Sequence, residues 1–207
     1  MCCIWTIRQI LWRVEVFLTD KELQGVGFKK YGTNVLISSK ASIYGAELIS
    51  IGNNVRIDDF CVLSGKISFG DSIHIGAGSM IYSSSDKNDN ISVEFDDFSG
   101  VSSRCAIYAI SDDYSGLTMS NPMVPNKYKG VIKKSVRIGK HCIVGTGSTI
   151  LPGANLDEGV VVGAMSLVAH LTKPWKIYFG VPARAVQERK KDLLDLEREF
   201  IRDKDSK

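Results

Sequence analysis

From Ile132 to Val168 an aliphatic residue stands at every sixth position: Ile132, Ile138, Val144, Ile150, Leu156, Val162 and Val168. Two positions before each of the last six is a small or β-branched residue: Val136, Cys142, Ser148, Ala154, Val160 and Ser166. Glycine follows the aliphatic residue at Gly139, Gly145 and Gly163. A period of six fits neither the helical turn of roughly 3.6 residues nor the two-residue alternation of a hairpin. It is the repeat of a short strand plus a turn, in which no single unit can bury its own apolar side chain. Three units close one triangular coil, and stacked coils align the aliphatic residues into a core. The pattern predicts an all-β chain built as a parallel β-helix.

The same arithmetic runs upstream. Ile37 and Ile43 are six apart, the register slips by two near Gly45, and a regular run follows at Ile51, Ile57, Leu63, Phe69, Ile75 and Ile81. Val55, Cys61, Ile67, Ile73 and Ser79 fill its small slots, and Asn53-Asn54, Gly65, Gly70 and Gly76-Ala77-Gly78 read as turn formers. Tyr82 to Asn90 interrupts the pattern as a polar loop, and Phe95, Val101 and Ile107 resume it. A second excursion, Ser111 to about Gly130, contains Pro122 and Pro125 and no aliphatic column. A long irregular segment inside a solenoid is more often functional than accidental. Thr19-Asp20-Lys21-Glu22 reads as a capping box opening a short helix that ends near Gly25 or Gly27. The tail from Val186 to about Arg202 places Leu193, Leu194, Leu196 and Phe200 among charges, which suits an amphipathic helix capping the solenoid. The chain divides accordingly into an N-terminal extension with a short helix (1–30), the β-helix (31–172) and a C-terminal cap and helix (173–207).

With 207 residues the chain can bury a sizeable core, and its net charge of +3 is too small to point to nucleic acid. Cys61, Cys105 and Cys142 occupy inward slots and read as reduced core residues, which fits a cytoplasmic protein. The run Met1 to Leu18 is apolar but broken by Arg8, Arg13 and Glu15. It reads as an amphipathic segment or a start-site extension rather than a membrane span or signal peptide. The three histidines, His74, His141 and His170, have no metal-site spacing, so no metal is expected. His141 reads as a surface turn residue and His170 as a cap on the last coil.

The repeat, followed by Pro174-Trp175-Lys176-Ile177-Tyr178-Phe179-Gly180-Val181-Pro182-Ala183-Arg184, resembles the hexapeptide-repeat acyltransferases, whose fold is a left-handed β-helix. The resemblance covers roughly Phe17 to Arg189. Arg56-Ile57-Asp58-Asp59-Phe60-Cys61, Ser102-Ser103-Arg104 and Ser111-Asp112-Asp113-Tyr114-Ser115-Gly116 resemble the branch acting on sugars in surface-polysaccharide pathways. That branch includes dTDP-4-amino-4,6-dideoxyglucose N-acetyltransferases and galactoside or maltose O-acetyltransferases. The resemblance implies acetyl-CoA as cosubstrate, a sugar or sugar nucleotide as acceptor, a homotrimer, and a second excursion that encloses the site and touches a neighbouring subunit.

Many members of the superfamily use a histidine base in a Tyr-x-x-Thr-His-Pro context. Here the matching stretch is Tyr108-Ala109-Ile110-Ser111-Asp112-Asp113, with Asp112 in the histidine's place. A sugar hydroxyl needs a base poised near neutrality, which an ordinary carboxylate is not, whereas an amine attacks a thioester with less help. The substitution favours an amino-sugar acceptor and direct attack, with O-acetylation as the alternative and a non-catalytic β-helix scaffold as a third reading. Asp112 and Asp113 are candidate catalytic residues, although Asp112 also suits a plain turn. His74 is the third catalytic candidate and, with an activated carboxylate, the base in the O-acetylation alternative; it shares the hexad phase of Asp112 and is expected on the same face, about 10 Å away. Tyr82, Glu94, Tyr108 and Tyr114 are candidate substrate contacts. For the cosubstrate, the resemblance points to Gly145-Thr146-Gly147 and Gly163-Ala164 along the pantetheine arm. Lys173, Lys176 and Arg184 are candidates for its phosphates, and Trp175 either packs on the cofactor or caps the core.

Overall fold

The computed structural model describes residues 16–205, so the reading of Met1 to Glu15 lies outside the described residues. Three parallel sheets form the walls of a triangular coil. Face one stacks Val35–Ile37, Val55–Ile57, Ile73–Ile75, Gly100–Val101, Ile143–Val144 and Val161–Val162. Face two stacks Ser42–Tyr44, Val62–Ser64, Met80–Tyr82, Ala106–Tyr108, Thr149–Ile150 and Leu167–Val168. Face three stacks Ile49–Ile51, Ile67–Phe69, Val93–Phe95, Val136–Ile138 and Asn155–Leu156. The expected columns point inward: Ile57, Leu63, Ile75, Ile81, Ile138, Val144, Ile150, Leu156, Val162 and Val168 are all buried, as are the small-slot residues between them. Phe69 and Phe95 stack in register at 4.9 Å.

Two kinds of residue hold successive coils together at the corners. Glycine directly after a column residue lets the next coil approach: a Cβ on Gly52 would lie 2.4 Å from the Gly70 carbonyl oxygen, and one on Gly145 would lie 2.6 Å from the Ala164 nitrogen. A left-handed residue then turns the corner, and in many coils it is bulky: Phe60, Phe98, Arg104, His141, Met165 and Trp175 all have φ between 56° and 60°. Gly70 and Gly76, read from sequence as turn formers, do not have positive φ and are instead close-approach positions. Left-handed backbone costs a bulky residue about 1–2 kcal/mol, but most of these amides bond the preceding coil. Phe98 donates to Asp71, Arg104 to Ala77, His141 to Asp97, and Met165 to Thr146. Aspartates add a ladder, with Asp71 accepting from the Asn53 amide and Asp97 from the Asp71 amide.

Ile132 is the one column residue that the structure moves. It is 39% exposed, in a two-stranded antiparallel hairpin of Ile110–Asp112 and Val131–Lys133 that leaves the corner between faces two and three. The second excursion is therefore closed at its base rather than structureless, and Met119 bridges Lys129 farther out. The Ser83–Ser92 loop leaves the same corner one coil earlier. Lys133 Nζ joins Asp89 at 2.9 Å, and Ser135 Oγ accepts from the Ser92 amide, tying the two excursions together.

Helix α1, Asp20–Val26, has the expected capping box, and its Leu23 is buried against the first coil. At the other end, Lys176–Gly180 pairs antiparallel with Ala183–Glu188, a strand where the sequence suggested the start of the tail helix. This ribbon, with buried Trp175, Tyr178 and Ala183, closes the coil. Helix α2, Leu193–Asp205, instead lies along the corner between faces three and one. Its Phe200 meets Phe98 edge-on, while Leu196 and Phe200 stay largely exposed. Glu197 anchors it, accepting from His141 Nε2 at 2.9 Å and pairing with Lys140 at 2.5 Å. His141 is consequently buried, stacked on Phe98, and not the surface residue expected from sequence. No described helix is long and apolar enough to cross a membrane.

Burial pushes the Glu197 carboxyl up, but the hydrogen bonds and charges of Lys140 and His141 outweigh it and hold the group below the ordinary glutamate range. A depressed carboxyl stabilises fully above its unfolded value of about 4.3 and loses that contribution as pH falls through the folded value. In urea titrations, Glu197→Gln is expected to cost about 1–3 kcal/mol at pH 7. The difference between wild type and variant should shrink below about pH 4.

Candidate active site

Side chains with chemistry gather at two corners on either side of face two. The first corner joins faces one and two. A groove of about 500 Å³ opens there, lined by Asp58, His74, Ala77, Ser102, Ser103 and Ile143. The outward ladder beside it runs Arg56, His74, Gly100, because these residues are in register on adjacent strands. Asp58 accepts from Arg56 Nε at 2.7 Å and from His74 Nε2 at 2.8 Å. Burial pushes the Asp58 carboxyl up, yet the hydrogen bonds from His74 and Arg56, with their charges, keep it below the usual carboxylate range.

Above the groove the turn residues of successive coils stay small. Thr146 Oγ1 donates to the Ser103 carbonyl at 2.7 Å, and the next coil presents exposed Ala164. Gly145 is filled from above by the Ala164 backbone, and Gly163 is covered by the Phe179 ring. These two glycines thus serve coil stacking rather than leaving room for a ligand arm. Gly147, left-handed, sits against Met165. Arg184, exposed and opposite Phe179 in the terminal ribbon, belongs to this corner.

Three other cosubstrate candidates do not. Lys173, Trp175 and Lys176 pass the corner between faces three and one, where the Trp175 amide bonds the Glu158 carbonyl. Trp175 is buried against Gly159 and flanked by Arg189 and Lys191, so of its two readings the structure supports the cap. Lys176 is paired with Glu188, and Lys173 donates its amide to the Tyr178 hydroxyl.

The second corner joins faces two and three. Tyr82 and Tyr108, in register, stack at 5.4 Å. Burial, then the neighbouring Tyr82 and Tyr114, raises the Tyr108 hydroxyl above its ordinary value. Tyr114 accepts from Ser111 Oγ at 2.9 Å. Asp112 ends the first hairpin strand opposite Val131, half-buried, and its carboxylate has no hydrogen-bond partner among the described residues. Asp113 is different. It accepts from the Ser115 amide at 2.9 Å, from Ser115 Oγ at 2.8 Å and from Thr118 Oγ1 at 3.0 Å, bonds that hold its carboxyl below the usual range. Three of its acceptor sites are spent on building the excursion.

His74 and Asp112 therefore do not share a face. Ala77 and Tyr82 bound the strand between the two corners, and five residues at about 3.3 Å each put them roughly 15 Å apart. Glu94 leaves the group as well: it sits on face three between Ser68 and Arg137 and accepts from Ser92 Oγ at 2.7 Å. A larger groove of about 690 Å³ on that side is lined in part by charges already paired, Arg137 with Asp96 and Lys140 with Glu197, beside Lys30, Asp97, Asp157 and Glu158. Asp58, Ser102 and Ser103 entered the sequence reading only as motif residues of the resemblance and not as site candidates. Stacking the chain in 18-residue coils would have placed Arg56 beside His74 and brought Asp58 within reach. Among the described residues no cluster of His, Cys, Asp and Glu is arranged to hold a metal ion.

No protein-family model matches the chain. It is 45% identical over 187 residues to the dTDP-4-amino-4,6-dideoxy-D-glucose acyltransferase of Escherichia coli, spanning 89% of this chain and 94% of that one. The chain belongs to the dTDP-4-amino-4,6-dideoxyglucose acyltransferase family. Among solved structures, AntD, an N-acyltransferase from Bacillus cereus in complex with dTDP and 3-hydroxybutyryl-CoA, superposes with a TM-score of 0.87 at 45% identity, covering 92% of this chain and 98% of that one. A maltose O-acetyltransferase from Clostridium difficile, at 18% identity and a TM-score of 0.52, covers 83% of this chain and 75% of that one and shares the fold. The β-helix is accordingly left-handed, and this member of the family is an acyltransferase.

The assignment of Asp113 to the loop has a direct check. Asp113→Ala should speed hydrogen exchange across 113–130 by about tenfold or more, since each lost bond is worth about 1 kcal/mol or more. Asp112→Ala should leave that exchange unchanged.

Proposed function

We propose that the enzyme transfers an acyl group, acetyl in the simplest case, from acyl-CoA to the amine of dTDP-4-amino-4,6-dideoxyglucose. The observation that carries this reading is 45% identity over nearly the full length of an acyltransferase of that substrate. AntD has been solved with dTDP-4-amino-4,6-dideoxyglucose and coenzyme A in a serine variant, and with dTDP and coenzyme A in aspartate variants. The chemistry here agrees: a carboxylate at Asp112 suits an ammonium better than a hydroxyl, because it pairs with the charge and orients the nitrogen. The reaction is direct, since the three described cysteines are buried, and burial pushes the Cys142 thiol up to about 12, far from a nucleophile.

The acceptor site is a composite of two copies. Within one chain the Asp112–Tyr108–Tyr114 corner and the His74–Ser102–Ser103 groove lie across face two from each other, too far apart for one sugar to touch both. The exposed arm at Tyr114, Leu117, Met119 and Met123 supports a contact with a neighbouring copy, and the homotrimer implied by the family resemblance is the assembly we propose. In this arrangement the column Ala77, Ser103, Thr146, Ala164 runs beside the acyl-CoA, and Arg184 stands near its phosphates. The stacked Tyr82 and Tyr108 present an aromatic surface to the acceptor. The work of the enzyme is cytoplasmic, in the making of a surface polysaccharide.

Thiol release from acetyl-CoA with dTDP-amino sugars and matched hydroxy sugars tests the reading. Turnover confined to amines is expected, with Asp112→Ala slowing it about tenfold or more. Mixing Asp112→Ala with Ser103→Trp, each poorly active alone, should restore activity in mixed oligomers in which one interface carries both intact corners. Turnover on hydroxyls alone, or mixtures no better than the separate variants, would overturn the acceptor or the composite site respectively.

A further inference from the structure

The groove between faces one and two holds a carboxylate–imidazole pair whose part in acylating an amine is not yet assigned. Asp58 is four-fifths buried on its side chain, while the His74 imidazole is about half exposed. Asp58 is itself fixed, because Arg56 donates Nε to it and lies over the Phe17 ring at 5.3 Å. Arginine can only donate, so Asp58 remains an acceptor at neutral pH and the ring nitrogen facing it must carry hydrogen. The neutral imidazole is thereby set as the Nε2–H form, with its lone pair on Nδ1. Nδ1 has no hydrogen-bond partner among the described residues. Gly100, next to His74 on the outward ladder, has no side chain to cover the ring on the side of Ser102 and Ser103.

Resting on the composite acceptor site, we propose that His74 accepts the proton that the acceptor's ammonium must lose, with Asp58 as the residue that positions it. Asp112 of the adjoining copy holds the ammonium at the mouth of the groove, and one N–H proton passes to Nδ1. The neutral amine then attacks the thioester carbonyl. A carbon–nitrogen bond forms, the carbon–sulfur bond breaks, and the departing sulfur takes the second proton from nitrogen. The imidazolium returns its proton to water. Each turnover yields one amide, one free thiol and one solvent proton. The division of labour accounts for two acidic residues in one site: Asp112 pairs with charge, and Asp58 acts only through the ring.

Asp58→Asn provides a sharp test. Arg56 still requires an acceptor, so the asparagine oxygen faces Arg56 and its NH₂ faces His74, which moves the lone pair to Nε2 and the hydrogen to Nδ1. Nitrogen-15 spectra of the imidazole should report that reversal, and kcat with acetyl-CoA and the dTDP-amino sugar should fall about 10²-fold with KM within about threefold. His74→Ala should lose about as much, and added imidazole should restore part of it. Unchanged kcat in His74→Ala, or unchanged kcat in Asp58→Asn despite a reversed tautomer, would overturn the proposal. Either result alongside intact Asp112 dependence and mixed-oligomer rescue would leave the composite site standing. Loss of those two would remove the site itself.

Discussion

The closeness of one coil to the next, about 4.8 Å, is the constraint from which the rest of the molecule follows. At that spacing the backbone after several column residues has no room for a Cβ, which explains Gly52, Gly139 and Gly145 better than any need for unusual dihedrals. The corner that follows is bent by a left-handed residue whose amide reaches the coil below, so even Phe98 and Trp175 are held there. Once corners are bonded from coil to coil, strands of two or three residues suffice. Short strands in turn leave every outward position at a fixed place along one of three faces. Ladders such as Arg56–His74–Gly100 are products of that regularity.

A solenoid tolerates insertions only where they leave the register of the next strand intact. Both excursions leave one corner, between faces two and three, on successive coils, and both return the chain to face three in register with its neighbours: Val93 with Ile67, and Val136 with Val93. Asp89 and Ser135 bind the two loops together, so the Asp112 hairpin is braced from below rather than free. The scaffold thus carries an arm where the strand ladder can afford one, while the opposite corner stays narrow and lined by small residues.

How much of this was legible depended on whether periodicity alone carried it. The columns, the three inward cysteines and the capping box at Thr19 follow from spacing and local chemistry, and the structure bears them out. Ile132 misled because the hairpin happens to keep the hexad phase across an excursion whose strands are not part of the coil. His74 and Asp112 misled for a related reason: hexad phase fixes a position within a face, while the face itself depends on the length of any intervening insertion, and Asp112 follows the Tyr108 strand after the chain has left the ladder. His141 was misjudged, and Trp175 left open between cofactor and cap, because their burial is supplied by segments distant in sequence, Glu197 and Arg189 among them. The groove itself needed coil arithmetic, since Arg56 and His74 are neighbours only in a chain read eighteen residues at a time.

The separation of the two corners has a chemical consequence. A carboxylate close to an imidazole pairs with it, as Asp58 does, and is then lost as a partner for a substrate cation. Asp112 keeps its oxygens free because it stands at the other edge of face two, roughly 15 Å wide, from that imidazole's groove in its own chain. Had both groups been on one coil face, the ion pair between them would have competed with the ammonium for the same contacts. In the composite site we propose, distributing them over two edges of a rigid triangular prism keeps each unspent until a second copy and the acceptor bring them together. Assembly, substrate charge and proton transfer are then linked through a single geometric fact, the width of one face.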